Sequence, residues 1–152
     1  MNIAVLETPL GRLGVHEVDG AITQLTWDAV ATGDETPVLI EALRQLQAYF
    51  DGDLHDFDLP MRVEGSDFQR AVCDQMAAIP FGDTVTYGDI AKATGKSAQA
   101  VGSACGGNPI PIIIPCHRVL GAGGRMVGFS GAGGVETKVW LLRHEGAAGL
   151  LI

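Results

Sequence analysis

The chain has 152 residues, 47% hydrophobic and 18% charged, which is the composition of one globular domain or two small ones and not of a disordered or fibrous protein. Its formal net charge of −8 excludes a broad basic surface for binding nucleic acid. Three cysteines, an odd number, favour a reducing compartment, and without a signal peptide or a membrane-length apolar run we expect a cytoplasmic protein with no membrane partner.

The acidic side chains are concentrated in the first part of the chain. Residues 1–62 hold three basic and eleven acidic side chains and so carry the whole net charge, whereas residues 63–152 hold seven of each. We therefore predict two domains, 1–62 and 63–152. If the second domain meets DNA, its attraction to the phosphates is modest and local.

The first domain begins with three short strand-like runs, Ile3–Leu6, Gly14–Val18 and Ile22–Trp27. Between the last two stands Asp19-Gly20, a strong signal for a two-residue hairpin turn. The pattern predicts a small antiparallel sheet.

A helix follows the sheet, with Thr36 as its N-cap, Pro37 at its first position and Gly52 at its end. A sheet with one helix is a complete small module. We find no catalytic motif in it, so we interpret it as a structural platform. The acidic linker after it is interpreted as solvated, with a cation site as the weaker alternative; its members are Asp51, Asp53, Asp56 and Asp58.

The second domain opens on a predicted capping box, Ser66 to Gln69, followed by a helix that ends before Pro80. Two short helices come next at helix-turn-helix spacing. The first is Tyr87–Thr94, closed by Gly95, and the second is capped by Ser97 and runs to about Cys105. The second of these is neutral and poor in bulky side chains, which suits close approach to another surface better than reading bases in the major groove. Cys73 and Cys105 are interpreted as core residues.

The most informative stretch is Pro115-Cys116-His117, which follows an apolar run and joins a thiol to an imidazole. A thiolate, not a thiol, is the nucleophile, and a neighbouring base is one way to produce it. Adjacent residues of a strand point apart, so Cys116 and His117 can cooperate only if the backbone turns there. The plainer alternative is that Cys116 is a small core residue.

Several motifs around this stretch are those of one known family. They are Asn108-Pro109, Pro115-Cys116-His117-Arg118-Val119, Gly128-Phe129-Ser130-Gly131, Lys138, Trp140-Leu141-Leu142 and His144-Glu145-Gly146. With them the chain resembles the O6-alkylguanine-DNA alkyltransferase family (methylated-DNA–protein-cysteine methyltransferases) over about Ser66 to Gly146. The resemblance implies an α+β fold: a ribonuclease H-like N-terminal domain of antiparallel sheet plus helix, then a mainly helical, winged-helix or helix-turn-helix-like domain that binds DNA and carries out alkyl transfer.

The resemblance also implies roles for individual residues. Cys116 would take the alkyl group, His117 would accept the thiol proton directly or through a water, and Glu145 would orient the imidazole. Asn108 would hold the turn before the nucleophile, and Tyr87 would contact DNA and assist departure of the guanine. These roles agree with the general need of a thiolate for a base and of a leaving purine for a proton donor.

Further residues are implied in binding. The predicted DNA contacts are Tyr87, Ser97, Ala98, Gln99 and Arg118, and the predicted substrate pocket comprises Met126, Val127, Phe129, Ser130 and Gly131. Two positions depart from the family: Gln99 stands where an arginine fills the space left by a flipped base, and Phe129 stands where tyrosine is common. The glutamine side chain is a shorter wedge than arginine and carries no positive charge for the phosphates. We therefore expect weaker DNA binding or slower base flipping, with the alkyl-transfer chemistry retained.

The implied function is DNA repair by a suicide methyltransferase. The alkyl group of O6-alkylguanine, with O4-alkylthymine as a further candidate, would pass irreversibly to Cys116 once per molecule, after minor-groove binding and base flipping. The expected partner is double-stranded DNA carrying the lesion; no cofactor or metal is expected, and the protein is predicted to be a monomer.

Three alternatives remain open. The main one is a non-catalytic sensor of alkylated DNA, which Gln99 favours slightly, although such relatives replace the reactive cysteine. A cysteine hydrolase built on Cys116, His117 and Glu145 would turn over repeatedly. A helix-turn-helix regulator with a structural cysteine is disfavoured by the neutral second helix.

Overall fold

The computed structural model describes residues 1–129 and 131–147. The chain divides into two compact units, Met1–Glu64 and Gly65–Ile152. Each unit has a buried apolar interior of its own. Within the described ranges, no helix is long and apolar enough to cross a membrane.

The first unit is built on a three-stranded antiparallel sheet. Its strands are β1 (Asn2–Thr8), β2 (Gly11–Val18) and β3 (Ala21–Trp27), in the order β1-β2-β3. The predicted hairpin turn is confirmed, because Asp19 and Gly20 both have positive φ (51° and 81°), as the type I′ turn requires.

The helix of the first unit, α1 (Pro37–Phe50), begins as predicted: the Thr36 hydroxyl accepts from the backbone N–H of Leu39 at 3.3 Å. Its buried face packs on the sheet, and the acidic linker after it is exposed at all four predicted positions. Gln45 anchors the linker, because its amide donates to the Asp58 carbonyl (3.0 Å) and accepts from the Asp58 N–H (2.9 Å).

The second unit opens with α2 (Asp67–Ala77), and here the sequence prediction was half right. Ser66 accepts from the Gln69 N–H at 3.0 Å, but the Gln69 side chain does not return to Ser66. Its Nε2 instead donates to the carbonyl of Ala104 at 2.7 Å. The polar residue that looked like a cap therefore ties α2 to a later helix.

The helix pair comprises α3 (Tyr87–Thr94) and α4 (Ala98–Gly106). The complete capping box of the unit is at α3, where Thr86 and Asp89 exchange both bonds, at 3.2 and 2.9 Å. Gly95 ends α3 in the left-handed conformation (φ 72°), as predicted.

Two contacts within the second unit were not predicted from the sequence, although the last helix itself, ending at His144-Glu145-Gly146, was. β4 (Val85–Thr86) pairs in parallel with β5 (Val119–Leu120), which fixes the chain directly after the Cys-His stretch beside the entry to α3. α5 (Val135–His144) then packs against the 3-10 turn Cys116–Arg118, and Glu145 is its C-cap. The fold thus brings residues 116–118 and 145 together.

Candidate active site

Cys116 stands at a sharp change of chain direction. Pro115 has φ −81° and ψ 69°, and the Cys116 N–H donates to the Ile114 carbonyl at 2.8 Å, which together form an inverse γ-turn. A 3-10 turn over Cys116–Arg118 follows directly. The backbone therefore turns where cooperation between a thiol and the next residue requires it.

A second tight turn precedes the first. Ile112 has a positive φ of 73°, a left-handed conformation that costs a β-branched residue about 1–3 kcal/mol. Asn108 supports the segment from inside, because its amide donates to the Ile114 carbonyl (2.9 Å) and accepts from the Ile110 N–H (3.0 Å). The predicted turn-holding position of Asn108 therefore coincides with a buried polar clamp.

His117 and Glu145 form a fully enclosed pair. The Nε2 atom of His117 lies 2.7 Å from Oε2 of Glu145, and both side chains have zero exposure. Burial lowers the pKa of His117 below its usual 6.5, and this outweighs the opposing pull of Glu145. The imidazole is therefore neutral at physiological pH.

The pairing fixes which imidazole nitrogen is the base. Burial alone would raise the pKa of Glu145, but the hydrogen bonds from His117 and Arg118 bring it to about 2, so the carboxylate is ionised and can only accept. Nε2 of His117 must then carry the hydrogen, and in a neutral ring Nδ1 has the free lone pair. That Nδ1 is buried and has no hydrogen-bond partner among residues 1–129 and 131–147.

Arg118 lies in the interior, which corrects its predicted role as a DNA contact. Only 5% of the residue is exposed, and its guanidinium donates to both Glu145 oxygens, at 2.8 and 3.0 Å, and to the Ile79 carbonyl at 2.6 Å. These donors are used inside the protein. Arg118 therefore holds the carboxylate that holds His117.

A cavity of about 240 Å³ opens beside the thiol. Its walls are mostly small or flat residues: Tyr87, Gly102, Cys105, Gly106, Cys116, Gly128 and Phe129. Burial raises the pKa of the Tyr87 phenol, with a smaller contribution from nearby thiols, so the hydroxyl keeps its proton. The cavity thus places a flat slot, a thiol and a phenolic proton donor together.

The predicted pocket residues divide into three groups. Phe129 lines the cavity, whereas Met126, Val127 and Gly131 are not among its wall residues in the described part of the chain. Ser130 lies outside the described residues. The α4 residues Gly102, Cys105 and Gly106 were missed as walls; Cys105 is a buried core residue, as predicted, and it also lines the cavity.

Lys138 is a further residue that sequence reasoning did not assign. It is 1% exposed, and its ammonium donates to the carbonyls of Val119 (2.5 Å) and Val127 (2.7 Å). Burial lowers its pKa to about 8, while the neighbouring Cys116 and Cys105 act to raise it. Its place among the family motif residues and its charge within the apolar pattern of α5 were the available signals. Lys138 ties Val119, directly after the 3-10 turn, to Val127.

The remaining predicted DNA contacts lie at the start of α4. Ser97 accepts from the Ala100 N–H at 3.1 Å, and Ser97, Ala98 and Gln99 are all exposed. The first turn of α4 is therefore a small, neutral, accessible surface, and the other end of the same helix forms a wall of the cavity.

Comparison with known proteins gives the family. The DNA binding domain of 6-O-methylguanine DNA methyltransferase matches residues 67–147, and the ribonuclease-like domain of the same proteins matches residues 1–63. The chain belongs to the methylated-DNA–protein-cysteine methyltransferase family. The α+β fold expected from the resemblance is confirmed by the solved relatives below.

Family members named methylated-DNA–protein-cysteine methyltransferase include one from Mycolicibacterium paratuberculosis, 41% identical over 92% of this chain and 89% of that protein. The constitutive enzyme of Bacillus subtilis is 40% identical over 91% and 92%. Mycobacterium tuberculosis OGT, solved in complex with DNA, is 37% identical with a TM-score of 0.85 over 96% of this chain and 93% of that one.

Proposed function

We propose that this protein repairs alkylated DNA by moving the alkyl group of O6-alkylguanine onto its own Cys116. The observation that carries the proposal is a thiol at the cavity wall, Cys116, followed directly in the chain by a neutral buried His117 whose tautomer is fixed by Glu145. Membership of the methyltransferase family supports the same reaction.

The reaction begins with a proton transfer. The Cys116 thiol gives its proton to Nδ1 of His117, directly or through one water, and the imidazolium that forms is stabilised by the ionised Glu145. Arg118 keeps that carboxylate ionised and in place, so its role is positioning.

Alkyl transfer then exchanges one bond for another. The thiolate sulfur attacks the alkyl carbon, an S–C bond forms and the C–O6 bond breaks, leaving the electron pair on the guanine. The Tyr87 phenol lines the same cavity and supplies hydrogen bonding or a proton to the departing purine. The product is a thioether, and none of the cavity residues that the structure describes offers a route to reverse it, so each chain acts once.

The base reaches the cavity only after leaving the duplex. Flipping costs a few kcal/mol, less for a damaged and poorly paired base. The exposed first turn of α4, with Ser97, Ala98 and Gln99, is the surface that we assign to the minor groove. Gln99 takes the position of the family's wedge, and its neutral amide is expected to make flipping slower.

The cellular compartment and the oligomeric state belong to the same proposal. All three cysteines are free, which suits a reducing cytoplasm, and the proposed chemistry uses one chain, so we propose a cytoplasmic monomer.

Intact-mass spectrometry tests the reaction. After incubation with a duplex that contains O6-methylguanine, we expect each chain to gain one methyl group, and Cys116→Ser to gain none. The second candidate, a damage sensor favoured by Gln99, predicts binding of the lesion without any mass gain. Repeated release of a product without a lasting mass change would instead indicate a hydrolase.

A further inference from the structure

The cavity contains a second thiol. Cys105, near the end of α4, and Cys116 both line it, with residue exposures of 4% and 5%. The third cysteine, Cys73, is 2% exposed, accepts from Nε2 of Gln69 at 3.6 Å and is not among the cavity residues described. The chain therefore offers one pair of thiols on a common wall and one thiol inside the core.

The backbone brings this pair together through a short hydrogen-bonded path. The Cys105 carbonyl accepts from the Asn108 N–H at 3.2 Å, and the Asn108 side chain donates to the Ile114 carbonyl at 2.9 Å. The same carbonyl accepts from the Cys116 N–H at 2.8 Å. Asn108 thus clamps the end of α4 against the chain that enters Cys116.

The local structure also allows adjustment. A disulfide needs Cα atoms within about 7 Å and Cβ vectors that converge. Gly106 and Gly107 follow Cys105 directly. A side chain at Gly106 would meet nothing within 4 Å, whereas one at Gly107 would meet Oε1 of Gln69 at 3.2 Å. The space beside Cys105 is therefore open on the Gly106 side, and the two glycines give this end of α4 the backbone freedom that closing a disulfide with Cys116 requires.

The two thiols have different chemical roles. Burial, reinforced by the negative charge of nearby Cys116, raises the pKa of Cys105 to about 12, so Cys105 stays a thiol at physiological pH. Cys116 is the sulfur beside the His117 base. An oxidant that enters the cavity therefore reacts first with Cys116.

We propose that Cys105 is a resolving thiol, which forms a reversible disulfide with Cys116 when a peroxide oxidises the active site. The Cys116 thiolate attacks one peroxide oxygen to give a sulfenic acid and water. The Cys105 sulfur then displaces the hydroxyl as a second water, with loss of its own proton. Two thiols are oxidised by two electrons, and one hydrogen peroxide is reduced to two waters.

The disulfide would protect a protein that otherwise acts once. Sulfenic acid that is not captured proceeds to sulfinic acid, which common thiols do not reduce. Capture by Cys105 instead leaves a bond that a dithiol reopens. While it is closed, the sulfur is unavailable to an alkyl group, so repair stops reversibly. Only the reversible arrest of repair rests on the proposed function, because disulfide formation itself can be measured without DNA.

The test uses the full chain and hydrogen peroxide. After brief exposure, remaining thiols are blocked, the protein is digested without reductant and linked peptides are identified by mass. We expect loss of two hydrogens per chain and a Cys105–Cys116 linked peptide, with methyl acceptance restored by dithiothreitol. Cys73→Ala is the matched control and should behave like the unchanged protein.

Cys105→Ala removes the partner, and each variant is compared with its own reduced sample because residue 105 lines the pocket. We expect sulfinic acid on Cys116 and recovery of less than about a tenth of the methyl acceptance after dithiothreitol. Equal recovery in Cys105→Ala, or a linked peptide containing Cys73, would overturn the proposal. A Cys105–Cys116 peptide in a protein whose reduced form never accepts methyl would contradict the proposed function and leave this inference standing.

Discussion

The two units of this molecule use charge in opposite ways. In the first unit the ion pairs of the described residues lie at the surface, although Glu17 is buried; Glu7, for example, pairs with Arg12 at 2.7 Å with side chains 70% and 51% exposed. In the second, Glu145 pairs with Arg118 at 2.8 Å with exposures of 0% and 6%. An Arg–Glu pair is thus exposed to solvent in the first unit and buried in the interior of the second.

The difference teaches where the site's reactivity comes from. An exposed pair contributes at most about 1 kcal/mol, while burying two charges costs several kcal/mol each unless hydrogen bonds compensate. In the second unit, three hydrogen bonds to the Glu145 carboxylate, one from His117 and two from Arg118, offset the cost of burying these charges. The near-neutral sequence of this unit therefore contains a buried ion pair that holds His117, the residue after Cys116.

The largest effect is expected from removing the buried charge. Glu145→Gln leaves Arg118 without its counter-ion and should lower the free energy of unfolding by about 3–5 kcal/mol, with loss of methyl acceptance. The matched change on the surface is Glu41→Gln, which breaks the exposed pair with Arg44 at 2.6 Å. We expect it to leave both quantities nearly unchanged. Chemical denaturation and intact mass measure the two.

Similar losses of stability in these two variants would mean that burial does not distinguish the pairs. Full methyl acceptance by a folded Glu145→Gln protein would show that the carboxylate is not needed to fix the His117 tautomer.

Two buried amides provide the next comparison. Asn108 clamps the turn before Cys116, and Gln45 clamps the linker of the first unit with the same two kinds of backbone bond. Each →Ala change should cost about 2–4 kcal/mol, since both leave backbone groups unsatisfied. Only Asn108→Ala should slow alkyl transfer from free O6-alkylguanine to Cys116, in conditions where both variants are folded. Equal slowing in Gln45→Ala would show that the effect is general loss of stability.

Acid should weaken the second unit first. The folded pKa of Glu145 is about 2 against 4.5 for an ordinary glutamate, so the stability it contributes is present above pH 4.5 and lost as pH falls towards 2. The lowered pKa of His117 adds a loss that begins as pH falls below 6.5, because the unfolded chain binds that proton first.

Each unit has its own tryptophan, which makes the acid effect measurable. Trp27→Phe leaves Trp140 to report on the second unit, and Trp140→Phe leaves Trp27 to report on the first. We expect the Trp140 fluorescence transition at the higher pH. The burial of His16 also lowers its pKa, so the first unit should still show a weaker acid response. Coincident transitions, or an earlier one for Trp27, would contradict this order.

The smallest effect is expected at the surface of α4. Gln99→Arg adds a cation and a longer wedge at an exposed position, so repair of duplex DNA should quicken by a few fold. The rate with free O6-benzylguanine should stay the same, because no base has to be flipped. An equal gain on both substrates would show that residue 99 acts on the chemistry and not on flipping.

Much of the fold could be predicted from local signals. The Asp19-Gly20 turn, the Thr36 cap and Gly95 each determine backbone geometry within a few residues, and these predictions hold in the structure. The β4–β5 pairing could not be predicted, since two strands of two residues have no periodicity to detect. The predicted capping role of the Gln69 side chain was wrong for a related reason, because that side chain hydrogen-bonds instead to the distant carbonyl of Ala104.

The candidate site was predictable in its residue types but not in its connections. The motif gave Cys116, His117 and Glu145, but sequence order does not reveal that Arg118 turns inward to Glu145. Nor does it reveal that Cys105, near the end of α4, lines the same cavity as Cys116. Such contacts depend on side-chain direction in the folded chain, which no short pattern specifies.

Peptide mapping of the alkylated protein tests the central claim most directly. The chain has three buried thiols, and Cys116 is the one that directly precedes the histidine that Glu145 holds. After reaction with a duplex containing O6-methylguanine, the account predicts one methyl group per chain, found on the Cys116 peptide, with Cys73 and Cys105 unmodified. A methyl group on either of those cysteines, or methyl loss from the DNA with no gain at Cys116, would contradict it.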